Sequence, residues 1–251
     1  MIELETHGTV TLLKMVRGKG NALDLEFLGR LDQALIEIER SPARAAVVTG
    51  QGSVFGAGVD LPAILAGGPD YVRRFLAAMV PSFERFATFP KPLVAAVNGH
   101  AIAGGAIIMM ACDQRIAARG KGRIGLTEIQ VGVTFPAWAL EIARFATPPE
   151  HFQELVLTGR TYSPEQSLAR GLVDELVDAD KLLDRALEVA GELGAFLPEA
   201  YRVTKVHVRR PLLEAARRES VHDAAAVEHW CSPAVLAELK KFAERNIGKK
   251  A

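Results

Sequence analysis

An α/β core followed by a helical C-terminal part is the fold class this chain predicts, on three observations. Strand-like and helix-like patterns alternate up to about residue 180. From about Lys181 onward the pattern is almost all helical. Of the 251 residues, 49% are hydrophobic, enough for a sizeable buried core and too many for a disordered chain. The length suits one large domain or a core with a smaller appendage.

The elements follow in order. "TVTLLKMV" and "AAVVTG" are β-branched runs ended by glycine and read as strands. Between them, "ALDLEFLGRLDQALIEIER" sets Leu28, Leu31, Leu35 and Ile38 at helical spacing with polar residues opposite. The loop "QGSVFGAGVD" leads into a helix that Asp60 can cap, with Pro62 in its first turn. "DYVRRFLAAMVPSFERFATFP" is helical in pattern despite Pro81, and "KPLVAAVNG" is a buried strand. A helix follows within "NGHAIAGGAIIMMACDQ", then short strands at "CDQRIAA" and "GRIGL". In "SPEQSLARG", Ser163 is the cap, Pro164 the first helical residue and Gln166 the partner in a capping box, with Gly171 as the stop. The C-terminal helices are broken by Pro198, Pro211 and Pro233. A helical tail needs a surface to cover it, so an oligomer is expected.

Composition excludes several classes. Lys+Arg and Asp+Glu balance at 30 each, so no global field favours nucleic acid or an anionic membrane. Cys112 and Cys231 make neither a disulfide framework nor a metal-ligand spacing. The opening "MIELETHGTVTLLKMV" reads as a strand rather than a signal peptide, and the longest oily stretch is too short for a bilayer. A cytoplasmic location is the expectation.

Two glycine-rich loops concentrate the chemistry. Gly104 and Gly105 interrupt an oily helical pattern, where each costs roughly 1 kcal/mol against alanine. Close helix–strand packing would justify them. So would a helix that begins there, whose first amides have no intrahelical partner and suit an oxygen gaining negative charge. "VFGAGVDLP" has the same character, with Gly56, Ala57 and Gly58 between a strand and a capped helix. It lacks both the dinucleotide and the P-loop spacing. Together the loops suggest two amides converging on one oxyanion.

"GNALD", "VFGAGVDL", "KPLVAAVNGHAIAGGAI", "ACDQRIAA", "IGLTEIQVGV" and "GRTYSPEQSLARGLVDELV" occur in the order and spacing of the crotonase (enoyl-CoA hydratase/isomerase) superfamily, as does a helical tail ending "LKKFAERN". On these residues the chain resembles that family over nearly its whole length. The resemblance implies a crotonase-like ββα spiral core over 1–195 and a C-terminal helical trimerisation region over 196–251. It implies trimers or hexamers and acyl-CoA thioester substrates, with no cofactor beyond the coenzyme A that the substrate carries. The family's two oxyanion-hole amides map onto Val59 and Gly104, and Ala57, Gly58, Asp60, Leu61 and Gly105 become expected substrate contacts.

Which chemistry depends on carboxylates. Hydratases of this family hold a water between two glutamates, and the first of those positions is Ile107 here, which can neither orient nor deprotonate water. The second maps onto Glu128, allowing one extra residue in the "ARGKGR" turn. On the residues alone, Glu128 is either a solvated acid at a strand end or an acid within an apolar segment; the resemblance favours the second. One buried carboxylate beside an oxyanion hole fits a proton shuttle, as in the single-glutamate Δ3,Δ2-enoyl-CoA isomerases; the alternatives are a hydratase, another thioester enzyme of the family such as a hydrolase or decarboxylase, and a catalytically silent acyl-CoA- or RNA-binding member. Those also resemble this chain locally at "GVTFPAW".

Other residues carry less. Asp60 reads as a helix cap and Asp113 as a strand-end structural acid. His100 reads as packing, and His222 and His229, seven apart, make no adjacent metal ligands, so no metal site is expected. Arg202, Lys205, Arg209, Arg210, Arg217 and Arg218 form either a solvated basic face or a contact for CoA phosphates; missing interleaved aromatics weigh against RNA. Phe135 and Trp138 are acyl-pocket wall or core.

Overall fold

The computed structural model describes residues 1–246, so residues 247–251 of the expected helical region lie outside the described residues. Among the described residues ten strands form two sheets. The large sheet contains β1 (Ile2–His7), β2 (Val10–Met15), β3 (Ala45–Thr49), β5 (Leu93–Val97), β7 (Gln114–Ala118) and β10 (Glu175–Val177), side by side in that order. β1 and β2 are antiparallel and every other pair is parallel. The small sheet contains β4 (Val54–Gly56), β6 (His100–Ile102), β8 (Ile124–Gly125) and β9 (Thr161–Tyr162), with only β8 and β9 antiparallel.

Among the described residues the α-helices are α1 (Leu25–Arg40), α2 (Leu61–Thr88), α3 (Gly104–Ala111), α4 (Ala137–Ala146), α5 (Pro149–Thr158), α6 (Pro164–Ala169), α7 (Leu182–Gly194), α8 (Pro198–Glu219), α9 (Asp223–Trp230) and α10 (Pro233–Asn246). Three times in succession the chain lays a strand in the large sheet, a strand in the small sheet and then a helix: β3–β4–α2, β5–β6–α3 and β7–β8–α4. This is the spiral of ββα turns that the family resemblance implies.

β3 and β5 are buried at every residue, which is why they read as unbroken oily runs rather than as alternating ones. Their side chains still alternate in space. Ala46, Val48, Leu93, Ala95 and Val97 face the main core with α1, α2 and α3, whereas Ala45, Val47, Val94 and Ala96 face α7 through Leu182, Ala186, Val189 and Ala190. The main core also takes in Leu212, Ala216, Trp230 and Leu239, so the helices after residue 195 pack into the same interior as the sheets.

The local sequence signals act as expected at several ends. Leu28, Leu31, Leu35 and Ile38 are all buried along α1. Asp60 caps α2 through its side chain on the Ala63 N–H, and Ser163 and Gln166 close a reciprocal capping box on α6. Prolines behave less uniformly. The two helical segments anticipated before and after residue 69 follow one another within α2, separated at Gly68, whose φ of +60° and ψ of −158° are not helical. Pro211 does not break a helix but lies inside α8, where Arg209 and Leu212 anchor both sides of the missing N–H. Among the described residues no helix is long and apolar enough to cross a membrane.

Candidate active site

The small sheet and the helix after it create the site. A Cβ on Gly105 would stand 2.3 Å from the Gly56 carbonyl oxygen, so the backbone of β4 rests directly on the first turn of α3. Gly58 has φ +82°, and a Cβ there would stand 2.8 Å from the Ala103 Cβ and 3.4 Å from the Gly104 nitrogen. Both readings of the glycine pair therefore apply: Gly105 is glycine for close packing, and Gly104 is where the helix begins. Ala103, just ahead of it, holds φ +52° and ψ −128°, a conformation that costs an alanine roughly 1–3 kcal/mol. It offers α3 no side-chain cap.

Two hydrogen bonds pin the 57–60 loop on either side of Val59. Leu23 N–H donates to Gly58 O at 2.7 Å, and Asp60 N–H donates to Leu23 O at 2.9 Å. Neither the Val59 nor the Gly104 N–H donates a hydrogen bond among the described residues. Both residues line one cavity of about 130 Å³, together with Ala57, Leu61 and Ile107. Both amides, the Gly104 one at a helix start with the positive end of the helix dipole behind it, are donors held ready for an anionic oxygen.

Glu128 lines the same cavity from a single 3-10 turn, Glu128–Val131, which follows β8 and is closed by Gly132 at φ +75°. The side chain is buried, and burial pushes its carboxyl up to about 7, against a smaller lowering by the backbone N–H groups of Glu128 and Thr127. Its Oε2 is buried without a hydrogen-bond partner. Among the described residues it is the one acid or base in the cavity lining, and Ile107 shares that lining. The arrangement suits a carboxylate that can take or give a proton at neutral pH beside two main-chain donors.

Three expected contacts stand behind the wall rather than in it. Gly105 is pressed against the Gly56 backbone, Asp60 is turned away to cap α2, and Gly58 serves the turn through its positive φ. Phe135 does line the cavity, whereas Trp138 is core; the tryptophan in the wall is Trp230. Met79 and Phe83 of α2, and Leu239 and Phe242 of α10, complete the apolar side. Nothing in the sequence separates these five from ordinary core positions, because the segments that carry them meet only through the fold.

The basic cluster needs the largest correction. Lys205 and Arg209 are neither a solvated face nor open to a phosphate: each sits 2.7 Å from a different Asp113 oxygen. Arg202 and Arg218 pair with Glu199 and Glu219 at the surface. His100 opens β6 and does not line the cavity, and His229 bonds the Gly132 carbonyl. Among the described residues no group of three or more His, Cys, Asp or Glu could hold a metal ion.

The enoyl-CoA hydratase/isomerase family matches residues 5–247. A putative enoyl-CoA hydratase of Thermus thermophilus is 33% identical over 209 residues, 82% of each chain. The structure superposes on human mitochondrial Δ3,Δ2-enoyl-CoA isomerase with TM-score 0.92 at 26% identity, covering 100% of this chain and 99% of that one. A Mycobacterium tuberculosis protein, described in one solved structure as a probable enoyl-CoA hydratase and in another as an enoyl-CoA isomerase, gives TM-scores 0.84 and 0.83 at 30% identity, covering 89% of this chain and 94% and 97% of that one.

Proposed function

Because the chain belongs to the enoyl-CoA hydratase/isomerase family, we propose that it is an enzyme that shifts the double bond of a 3-enoyl-CoA to give the 2-trans-enoyl-CoA. The reaction needs one base and one oxyanion site. The Glu128 carboxylate takes a proton from C2; the C–H electron pair moves into conjugation, and the thioester oxygen gains negative charge. The Val59 and Gly104 N–H groups donate to that oxygen, each such donor typically contributing roughly 3–4 kcal/mol. Glu128 then returns the proton to C4 as the C2–C3 double bond forms. No atom is gained or lost, and no cofactor takes part beyond the CoA moiety of the substrate.

The observation that carries this reading is the cavity lining, in which Glu128 is accompanied by Ile107 rather than by a second acid. Hydration of a double bond requires a water that is both oriented and deprotonated, and one carboxylate in an otherwise apolar cavity serves proton transfer better. An upward-shifted carboxyl supports the same role, since a shuttle works best with its pKa near the working pH. The exposed apolar residues Phe196, Leu197, Val206 and Val208 support self-association, which this reading takes to be a homotrimer or hexamer.

Purified protein incubated separately with 3-hexenoyl-CoA and with crotonyl-CoA tests the proposal. Isomerisation of the first without hydration of the second is expected. Fast hydration of crotonyl-CoA would overturn it in favour of a hydratase.

A further inference from the structure

Glu128 is aimed in an unusual way for a buried acid. No side chain among the described residues bonds its carboxyl, one oxygen has no partner, and only the N–H groups of its own turn act on it. Such a carboxyl can be directed only by holding the backbone that carries it. On the N-terminal side of the next segment, the turn is fixed by Gln130, whose Nε2 donates to Gly159 O at 2.7 Å. On the other side, one helix supplies three ties. The His229 ring bonds Gly132 O at 2.9 Å, Trp230 Nε1–H donates to Thr134 O at 2.8 Å, and Asp223 Oδ1 accepts from Ala137 N–H at 2.8 Å. The segment they grip is itself bonded to the catalytic turn, since Val133 N–H donates to Glu128 O at 3.1 Å.

From this geometry we infer that α9 is a clamp, with His229 and Trp230 as positioning residues that hold the Glu128 turn against the cavity through the Gly132 and Thr134 carbonyls. The inference rests on Glu128 being the base. Neither residue exchanges a proton with substrate. Their part is to keep the carboxyl within the few tenths of an ångström that proton transfer tolerates, where a shift of about 1 Å can cost about 100-fold in rate. Docking of α9 as a whole is a separate matter: its Glu228 pairs with Arg73 of α2 and touches neither carbonyl.

The test uses Trp230→Phe, which keeps an aromatic wall and removes the donor, together with His229→Ala, their double variant, His229→Gln as the conservative replacement and Glu228→Ala as the docking control. Each single variant is expected to lower kcat for 3-hexenoyl-CoA about 10-fold with KM within about twofold. The double variant falls further, His229→Gln recovers most of the loss, and Glu228→Ala leaves kcat unchanged.

A second readout needs no turnover. The Glu128 carboxyl stretch, isolated as the infrared difference between the protein and Glu128→Gln, is titrated in wild type and in the double variant. Of the elements against the turn, α9 brings His229, α10 brings Glu238, paired with Lys241, and α5 carries Glu150, His151 and Glu154, the last paired with Arg160 and Arg170; none of these side chains lines the cavity. With the clamp loosened, water reaches the carboxyl and its midpoint moves down toward the ordinary range. If the wild type does not isomerise 3-hexenoyl-CoA but the midpoint still moves, the isomerase reading fails and the clamp stands. An unmoved midpoint, or kcat lost only in proportion to the folded fraction, overturns the clamp.

Discussion

Asp113 and Glu128 are both largely withdrawn from water, Glu128 the more so, and the fold treats them in opposite ways. Asp113 immediately precedes β7 of the large sheet. Its Oδ2 accepts from Leu93 N–H and from Lys205, and its Oδ1 accepts from Arg209. Glu128 follows β8 of the small sheet and has an orphaned oxygen facing an apolar cavity. A buried carboxylate surrounded by donors is a fastener, tying the ends of β5 and β7 to α8. A buried carboxylate left without partners is expensive to ionise and so is available for proton transfer near neutrality. On the proposed reading, burial alone does not mark a candidate base; a buried carboxyl oxygen left without a partner in a cavity does.

The sharpest way to break the comparison is to exchange the two effects. Glu128→Gln should lower turnover of 3-hexenoyl-CoA by roughly 10²–10⁴-fold while circular dichroism and oligomeric state stay as in wild type. A fully active variant would remove Glu128 from the chemistry. Asp113→Ala should do the reverse. It leaves Lys205 and Arg209 buried beside each other without their anion, at a cost of about 3–5 kcal/mol in denaturant unfolding, while the folded fraction keeps a normal KM. If Asp113→Ala is as stable as wild type, the fastener reading is wrong.

A smaller effect comes from protonation. The Glu128 carboxyl titrates near 7 in the folded protein against 4.5 in a solvated chain. Between those values the folded state holds the extra proton, so stability from this group is complete below about pH 4.5 and is lost as pH rises to about 7. Glu128→Gln has no such loss. Its stability relative to wild type should rise through that window and level off above it, with a gain of about 1–3 kcal/mol at pH 8. The same titration predicts that kcat/KM of the wild type climbs with pH to a plateau above about 7, because the base must be ionised to act. An activity already flat from pH 5 upward would contradict the shift.

How far these acids could be read from the sequence depends on the reach of their partners. The Asp60 cap and the Ser163–Gln166 box span three residues and are legible because the bonds that define them are local. The resemblance put Glu128, Val59 and Gly104 at one site, and the cavity contains all three. The cationic partners of Asp113 lie 92 and 96 residues away, so nothing near "CDQ" announces them and the basic cluster on α8 looked like a surface. The wall built by Trp230, Leu239 and Phe242 was illegible for the same reason: an aromatic on a helix has no signature for which cavity it closes. The ββα repeat is likewise topological. β4 and β8 are only three and two residues long, too short to produce a periodic sequence pattern.

Asp60 supplies the finest discrimination, since it is an acid next to the oxyanion loop that is neither fastener nor base. Its Oδ1 accepts from the Ala63 N–H at 3.0 Å, and its own N–H is fixed on Leu23 O, so the side chain faces the helix it caps. Capping alone predicts that Asp60→Ala destabilises the protein by about 1 kcal/mol and that Asp60→Asn or Asp60→Ser recovers most of this, because any side-chain oxygen there can accept the same bond. It also predicts an unchanged KM for 3-hexenoyl-CoA in all three variants. A direct substrate contact predicts the opposite ranking, with KM raised in Asp60→Ala and Asp60→Ser while stability follows the cap. Measuring KM and the unfolding midpoint side by side therefore decides whether the residue after Val59 serves the loop or the ligand, and the geometry of its hydrogen bond assigns it to the loop.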